Sequence, residues 1–285
     1  MTRATYARIG PRIGDAWDAT TDVLAGRAGL LAPIAALGFF LPSAVQTAIR
    51  AYGGPTPGIA ALGASVALLA LGLVLWAQLA VIAVASDPAT TRAQASRLGL
   101  QRLPRALLVA AVLVALFVLA VLPIAGVLLA SGFDFQAAAA QSGSAAPLPV
   151  APGALLFSLF YGLALAVAGL WLGARLFLVN AVVLNEARGL GALRRSFRLT
   201  GGLTIKLIGA ALLFLLVYLV AALAAQAVVG VVFRLILGPG QIATATFLAG
   251  LAGAAVGAVF NTIVAVFAAR LYVAVRARAE GDAAA

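Results

Sequence analysis

Long apolar runs alternate with short polar segments along this chain, and the polar segments are themselves two-faced. Continuous hydrophobic stretches cover about 30–49, 59–85, 106–129, 154–184, 203–232 and 242–275. Each reaches or exceeds the roughly 20 residues with which an α-helix crosses a bilayer. They predict transmembrane helices. Three segments before or between them, about 12–27, 88–104 and 187–201, read as amphipathic helices. In the first, Ile13, Trp17, Thr20 and Leu24 oppose Asp15, Asp18 and Asp22. In the second, Ala93, Ser96, Leu100, Leu103 and Leu107 oppose Arg97, Gln101, Arg102 and Arg105. In the third, Leu190, Leu193 and Phe197 oppose Arg188, Arg194, Arg195 and Arg198, the pattern of a helix lying in a membrane interface.

The expected fold is therefore all-α and polytopic: one membrane domain over 1–285, with six spans in three units of interfacial helix plus helix pair. Ala16, Ala93 and Ala192 occupy comparable places in the units, but identity is otherwise slight, so the repeat is one of hydropathy. Local signals refine the picture. Pro33 and Pro42 predict kinks in the first span. Residues 52–58 predict a tight turn, and Ser86-Asp87-Pro88 reads as a helix start. The segment 130–152, rich in Ala, Gly, Ser and Pro, reads as a long loop without a cation. The fourth span is longer than a bilayer requires and is expected to tilt, kink or project, with Arg175 near enough to its end to snorkel.

Composition supports the membrane reading. The chain is 64% hydrophobic and 9% charged, against about a half and a quarter in a soluble domain. A net charge of +11 would raise nucleic acid as a partner of a soluble protein, but here the cations flank apolar spans, and no nucleic-acid role is expected. They also orient the chain. The leader, the 92–105 and 188–206 connections and the tail hold nearly all of them, while Arg50 and Arg234 alone fall on the other side. That distribution predicts both termini in the cytoplasm. A cleaved signal peptide is the competing reading of the leader, disfavoured by its three acids and by the absence of a clean A-x-A site after Leu41. The preference for arginine over lysine, with abundant Ala, Gly and Leu, points to a GC-rich bacterial genome and hence to a bacterial cytoplasmic (inner) membrane.

Candidate chemistry is sparse. Cys and His are absent, no acid lies within a span, and no phosphate loop, nucleophile elbow or metal-ligand spacing is present. No catalytic residue, metal or cofactor is expected. Gly189-Leu-Gly191 begins like a dinucleotide fingerprint but lacks the third glycine and the preceding strand. What remains is an anionic-headgroup site, with Arg175, Glu186, Arg194, Arg195 and Arg198 as candidates. The alternative is that Glu186 offsets local positive charge while Arg175 only snorkels. A straight helix would hold Arg175 and Glu186 about 16 Å apart, so they meet only if the chain bends. Asp15, Asp18 and Asp22 are a second candidate partner for Arg194, Arg195 and Arg198. In the last span Gly250, Gly253 and Gly257 form a small-residue packing face. Asn261 and Thr262 are expected to hydrogen-bond across helices, with Gln78 and Gln226 as possible partners, the sharper alternative being a polar pathway.

The run from Arg175 through Asn180 to Glu186, then Ala192-Leu-Arg-Arg-Ser196-Phe-Arg-Leu-Thr200-Gly-Gly, resembles the signature of the six-helix membrane domain named after glycerophosphoryl diester phosphodiesterases. The closing Leu271-Tyr272-Val-Ala-Val-Arg276-Ala-Arg278 resembles that family's last-helix ending. The chain departs from it at Leu203-Thr204-Ile205-Lys206, where an aromatic is usual. In fused members the phosphodiesterase activity belongs to a separate barrel, so the resemblance implies a membrane domain and not a hydrolase. The expected function is that of a non-enzymatic membrane scaffold or accessory protein whose basic face contacts anionic lipid or a protein partner. The alternative is a transporter or flippase-like carrier of an anionic amphiphile.

Overall fold

The computed structural model describes residues 13–54, 56–135 and 151–284. Arg3, Arg8, Arg12 and most of the expected 130–152 loop lie outside them. The described chain is all-α: α1 (Ile13–Ala35), a π-turn (Ala36–Phe40), α2 (Leu41–Tyr52), α3 (Pro57–Ser86), α4 (Arg92–Ala130), α5 (Pro152–Leu176), α6 (Val179–Glu186), α7 (Gly191–Leu199), α8 (Thr204–Leu237), a 3₁₀ turn (Pro239–Gln241) and α9 (Ile242–Ala284). Six stretches are long and apolar enough to span a membrane: Ile13–Tyr52, Gly58–Ser86, Arg92–Ala130, Pro152–Glu186, Thr204–Leu237 and Pro239–Arg278. The protein is a polytopic helical membrane protein.

Several expected boundaries move. The bend after the first amphipathic segment falls at Arg27, whose φ of −129° and ψ of 18° leave the helical region. Between the two prolines expected to kink the first span, the chain adopts the π-turn instead. Pro42 then sits in the first turn of α2, directly after the π-turn. The turn lets Gly38 approach α3 so closely that a Cβ there would collide with Ala77. Ser86-Asp87-Pro88 does not start a helix. Asp87 closes α3, and its carboxylate accepts from the Ala89 N–H. The next helix begins at Arg92 because Thr91 and Gln94 form a capping box, which satisfies two end donors together. From there the second amphipathic segment and the third span are one helix, with Pro104 inside it. The closing tail is helical too, since α9 runs 43 residues, about 65 Å, beyond any bilayer's need.

α9 is the central element, packed on α8, α1, α2 and α3; α3 also carries α4, and α5 bridges α4 to α8. Burial is concentrated at the arginine-rich end. Ala77 to Ala85 of α3, Leu178 to Leu184, and Ala265 to Tyr272 of α9 supply most of the core. Toward the opposite end the large side chains of α3, α4, α5 and α8 are exposed, as lipid-facing positions are.

Candidate functional site

The apolar run of the fourth span breaks at Phe177 and Leu178. The second piece, α6, swings into the arginine-rich end, where it touches α3, α4, α7 and α9. Val179, Ala181, Val182, Val183 and Leu184 are all buried there. Two side-chain hydrogen bonds tie α6 to α3: Asn180 Nδ2 donates to Gln78 Oε1 at 2.7 Å, and Asn185 Nδ2 donates to the Ser86 hydroxyl at 3.4 Å. Phe177, at the break, packs at a tilt against Phe267 of α9, which also meets Trp17 of α1.

At the break α5 leaves carbonyls without helical partners, and α7 supplies them. The Ser196 hydroxyl donates to the Arg175 carbonyl at 2.8 Å, and the Thr200 hydroxyl is shared between the Ser196 carbonyl at 2.9 Å and the same Arg175 oxygen at 3.1 Å. In return Arg175 Nη1 donates to the Phe197 carbonyl at 3.2 Å. Its guanidinium lies over the rings of Trp171 and Phe197, 5.4 and 6.0 Å from their centroids. Ser196 and Thr200 are wholly buried, so the amphipathic helix is bolted to the bundle through its polar residues as well as its apolar ones.

Glu186 closes the other end of α6. Ala187 is left-handed at φ 56°, a conformation L-residues adopt at a cost, and it turns the chain so that Arg188 folds back to Glu186 Oε2 at 2.9 Å. Arg195 meets Oε1 at 3.0 Å, and the hydroxyl of Tyr272, itself only 1% exposed, donates to the same oxygen at 3.1 Å. One carboxylate thus joins α6, α7 and α9.

The five candidate headgroup residues are therefore not one site. Arg175 and Glu186 do not meet, because the bend sends them to different partners. Glu186 and Arg195 are held by each other, while Arg194 and Arg198, one helical turn apart, stay exposed. Among the described residues no ion pair joins Asp15, Asp18 or Asp22 to Arg194, Arg195 or Arg198, since α1 packs on α9 and α3 instead. Asn261 does not cross to Gln78 or Gln226 either. It donates to the Gly257 carbonyl of its own helix, as Thr262 does to Ala258. Gln78 is taken by Asn180, and Gln226 lies against Gly253. Gly250 faces Thr47, while Gly257 has only the Tyr218 hydroxyl within 4 Å of where a Cβ would stand.

Arginines also close a helix end that the sequence left unassigned. Arg27, at the bend of α1, donates to the carbonyls of Val84 and Asp87 at 2.6 and 3.1 Å, and Arg270 reaches Ala85 at 3.5 Å. Cations there satisfy end carbonyls and oppose the helix dipole. Fold and site define a polytopic helical membrane protein with an interlocked arginine-rich end. Comparison with family models, with curated proteins and with solved structures gives no match for the chain.

Proposed function

We propose that the protein is a non-catalytic scaffold or accessory component of a bacterial cytoplasmic membrane. Its arginine-rich end then faces the cytoplasm and contacts anionic lipid or a protein partner. The observation that carries this reading is the division of labour on α7. Ser196, Thr200 and Arg195 hold the helix in place, while Arg194, Arg198 and half-exposed Leu190 remain on its outer surface. A rigidly held interfacial helix with free cations is a surface for anionic headgroups. The likeness of about 175–206 and 270–281 to the phosphodiesterase-associated membrane domain supports the same non-hydrolytic role. A carrier of anionic amphiphiles is the second reading. It rests on the same exposed Arg194 and Arg198, which are placed to receive an anionic headgroup.

The test is lipid analysis of the protein extracted with its surrounding bilayer in polymer nanodiscs. Phosphatidylglycerol should exceed its bulk fraction around the wild type and fall toward it in Arg194→Gln/Arg198→Gln. Bulk composition around the wild type would refute the headgroup role. Flipping of a labelled anionic lipid in vesicles that contain the protein, and not in empty ones, would favour the carrier.

A further inference from the structure

We infer that α5 carries a discrete site for one anionic diacyl phospholipid, with an acyl chain along a groove and its phosphate at Arg175. The inference rests on the proposed lipid-contacting role and names a second, separate place for it. Phe160, Leu163, Ala164, Val167, Ala168 and Trp171 line a shallow apolar groove of about 620 Å³. Small Ala164 and Ala168 form its floor between larger rims. The lining runs from Phe160 to Trp171, a rise of about 16 Å at 1.5 Å per residue, close to the hydrocarbon depth of one leaflet, about 15 Å. Trp171 to Arg175 is one further step of four along the same helical stripe, so the guanidinium stands at the groove's end toward the arginine-rich side.

Charge selects the occupant. Arg175 is half-buried, and a cation at that depth is costly without an anion. Among the described residues no carboxylate pairs with it, because Glu186 serves Arg188 and Arg195. Its Nη1 is bound to a neutral carbonyl, and its Nε is buried with no partner. A phosphate oxygen against the exposed part of the half-buried guanidinium supplies the missing charge, while the buried Nε stays out of its reach. The stack on Trp171 and Phe197 fixes the guanidinium in place, and an acyl chain in the groove brings a phosphate to that end of it. A free phosphate would not use the groove.

Native mass spectrometry of the detergent-solubilised protein, titrated with phosphatidylglycerol or phosphatidylethanolamine, tests this. The wild type should retain one saturable phosphatidylglycerol, about tenfold over phosphatidylethanolamine. Arg175→Gln keeps a donor for the Phe197 carbonyl but loses the charge, and should lose that preference. Ala164→Phe/Ala168→Phe fills the groove floor at two exposed positions without touching Arg175 or the core, and should lose the saturable adduct. Unchanged unfolding temperature shows that either loss is not misfolding. Retention of the adduct by the groove-filled variant overturns the site, as does unchanged preference in Arg175→Gln. If the adduct is lost only in Arg194→Gln/Arg198→Gln, the discrete site falls and the lipid-contacting face stands. If nanodisc enrichment is also absent, both fall.

Discussion

Residues 152–176 and 179–186 belong to one uninterrupted apolar run, yet they meet opposite environments. In α5 nearly every large side chain from Leu155 to Trp171 is exposed, whereas five of the eight residues of α6 are buried. The difference teaches what hydropathy measures. It reports that a side chain leaves water, not whether it goes to lipid or to protein. In a bilayer that second distinction is energetically small for an aliphatic side chain, since lipid tails are as apolar as leucine. What singles out α6 is polar: Asn180, Asn185 and Glu186 along or beside it each find a partner on another helix. The polar groups select the buried segment, and the aliphatic ones accommodate it.

The largest test of that contrast is Glu186→Ala. Arg188, Arg195 and Tyr272 all converge on this carboxylate, and Arg188 is too exposed to matter much. Arg195 and the buried Tyr272 hydroxyl would lose their acceptor, and the joint between α6, α7 and α9 would open. We expect a loss of about 2–4 kcal/mol, seen as a lower thermal midpoint in detergent. Glu186→Gln, which keeps an acceptor, should recover part of it. Equal stability of wild type and Glu186→Ala would mean that the carboxylate adds nothing to what the aliphatic contacts and the two asparagines already hold.

Much of the frame was legible because it depends on composition over long windows: the six spans, the amphipathic segments and the surplus of cations at one end. The break at Phe177 was legible only as excess length. Its position depends on the Ser196 and Thr200 hydroxyls reaching the carbonyl of Arg175 as donors, across 21 and 25 residues of chain. The pairing of Glu186 with Arg195 was hidden for a related reason. Several arginines of 188–198 offer the same charge, and only the left-handed turn at Ala187 and the register of α7 choose among them. Nothing in the pattern around Tyr272 or Thr200 marked either as a partner of α6 or of the break. The pairing of Gln78 with Asn180 rather than Asn261 had no signal either, because an amide in a span does not announce its partner.

A medium-sized effect separates the glycines of α9. A Cβ at Gly250 would run into the Thr47 side chain, whose hydroxyl is already committed to the Ser43 carbonyl, whereas one at Gly257 would have 3.7 Å to the Tyr218 hydroxyl. Gly250→Ala should therefore cost about 1–3 kcal/mol through displacement of α2. Gly257→Ala should be neutral or stabilising by up to about 1 kcal/mol, since alanine is the better helix former. Thermal unfolding of the two variants side by side checks this, and equal shifts would mean that α2 and α9 are not in contact at Thr47.

The smallest effect bears most directly on the two halves of the fourth span. Val182 of α6 is fully buried and Val167 of α5 is 63% exposed, so the same truncation removes the same atoms from protein packing in one case and from lipid in the other. Val182→Ala leaves a void that lipid cannot fill and should cost about 1–2 kcal/mol. Val167→Ala leaves no void, because lipid follows the surface, and should stay within about 0.5 kcal/mol of the wild type. Unfolding in mixed micelles gives both values on one scale. If Val167→Ala were as costly as Val182→Ala, a protein surface and not a lipid chain, whether bulk or bound in the groove, would cover α5 along its exposed stripe, and the contrast between the two segments would fail.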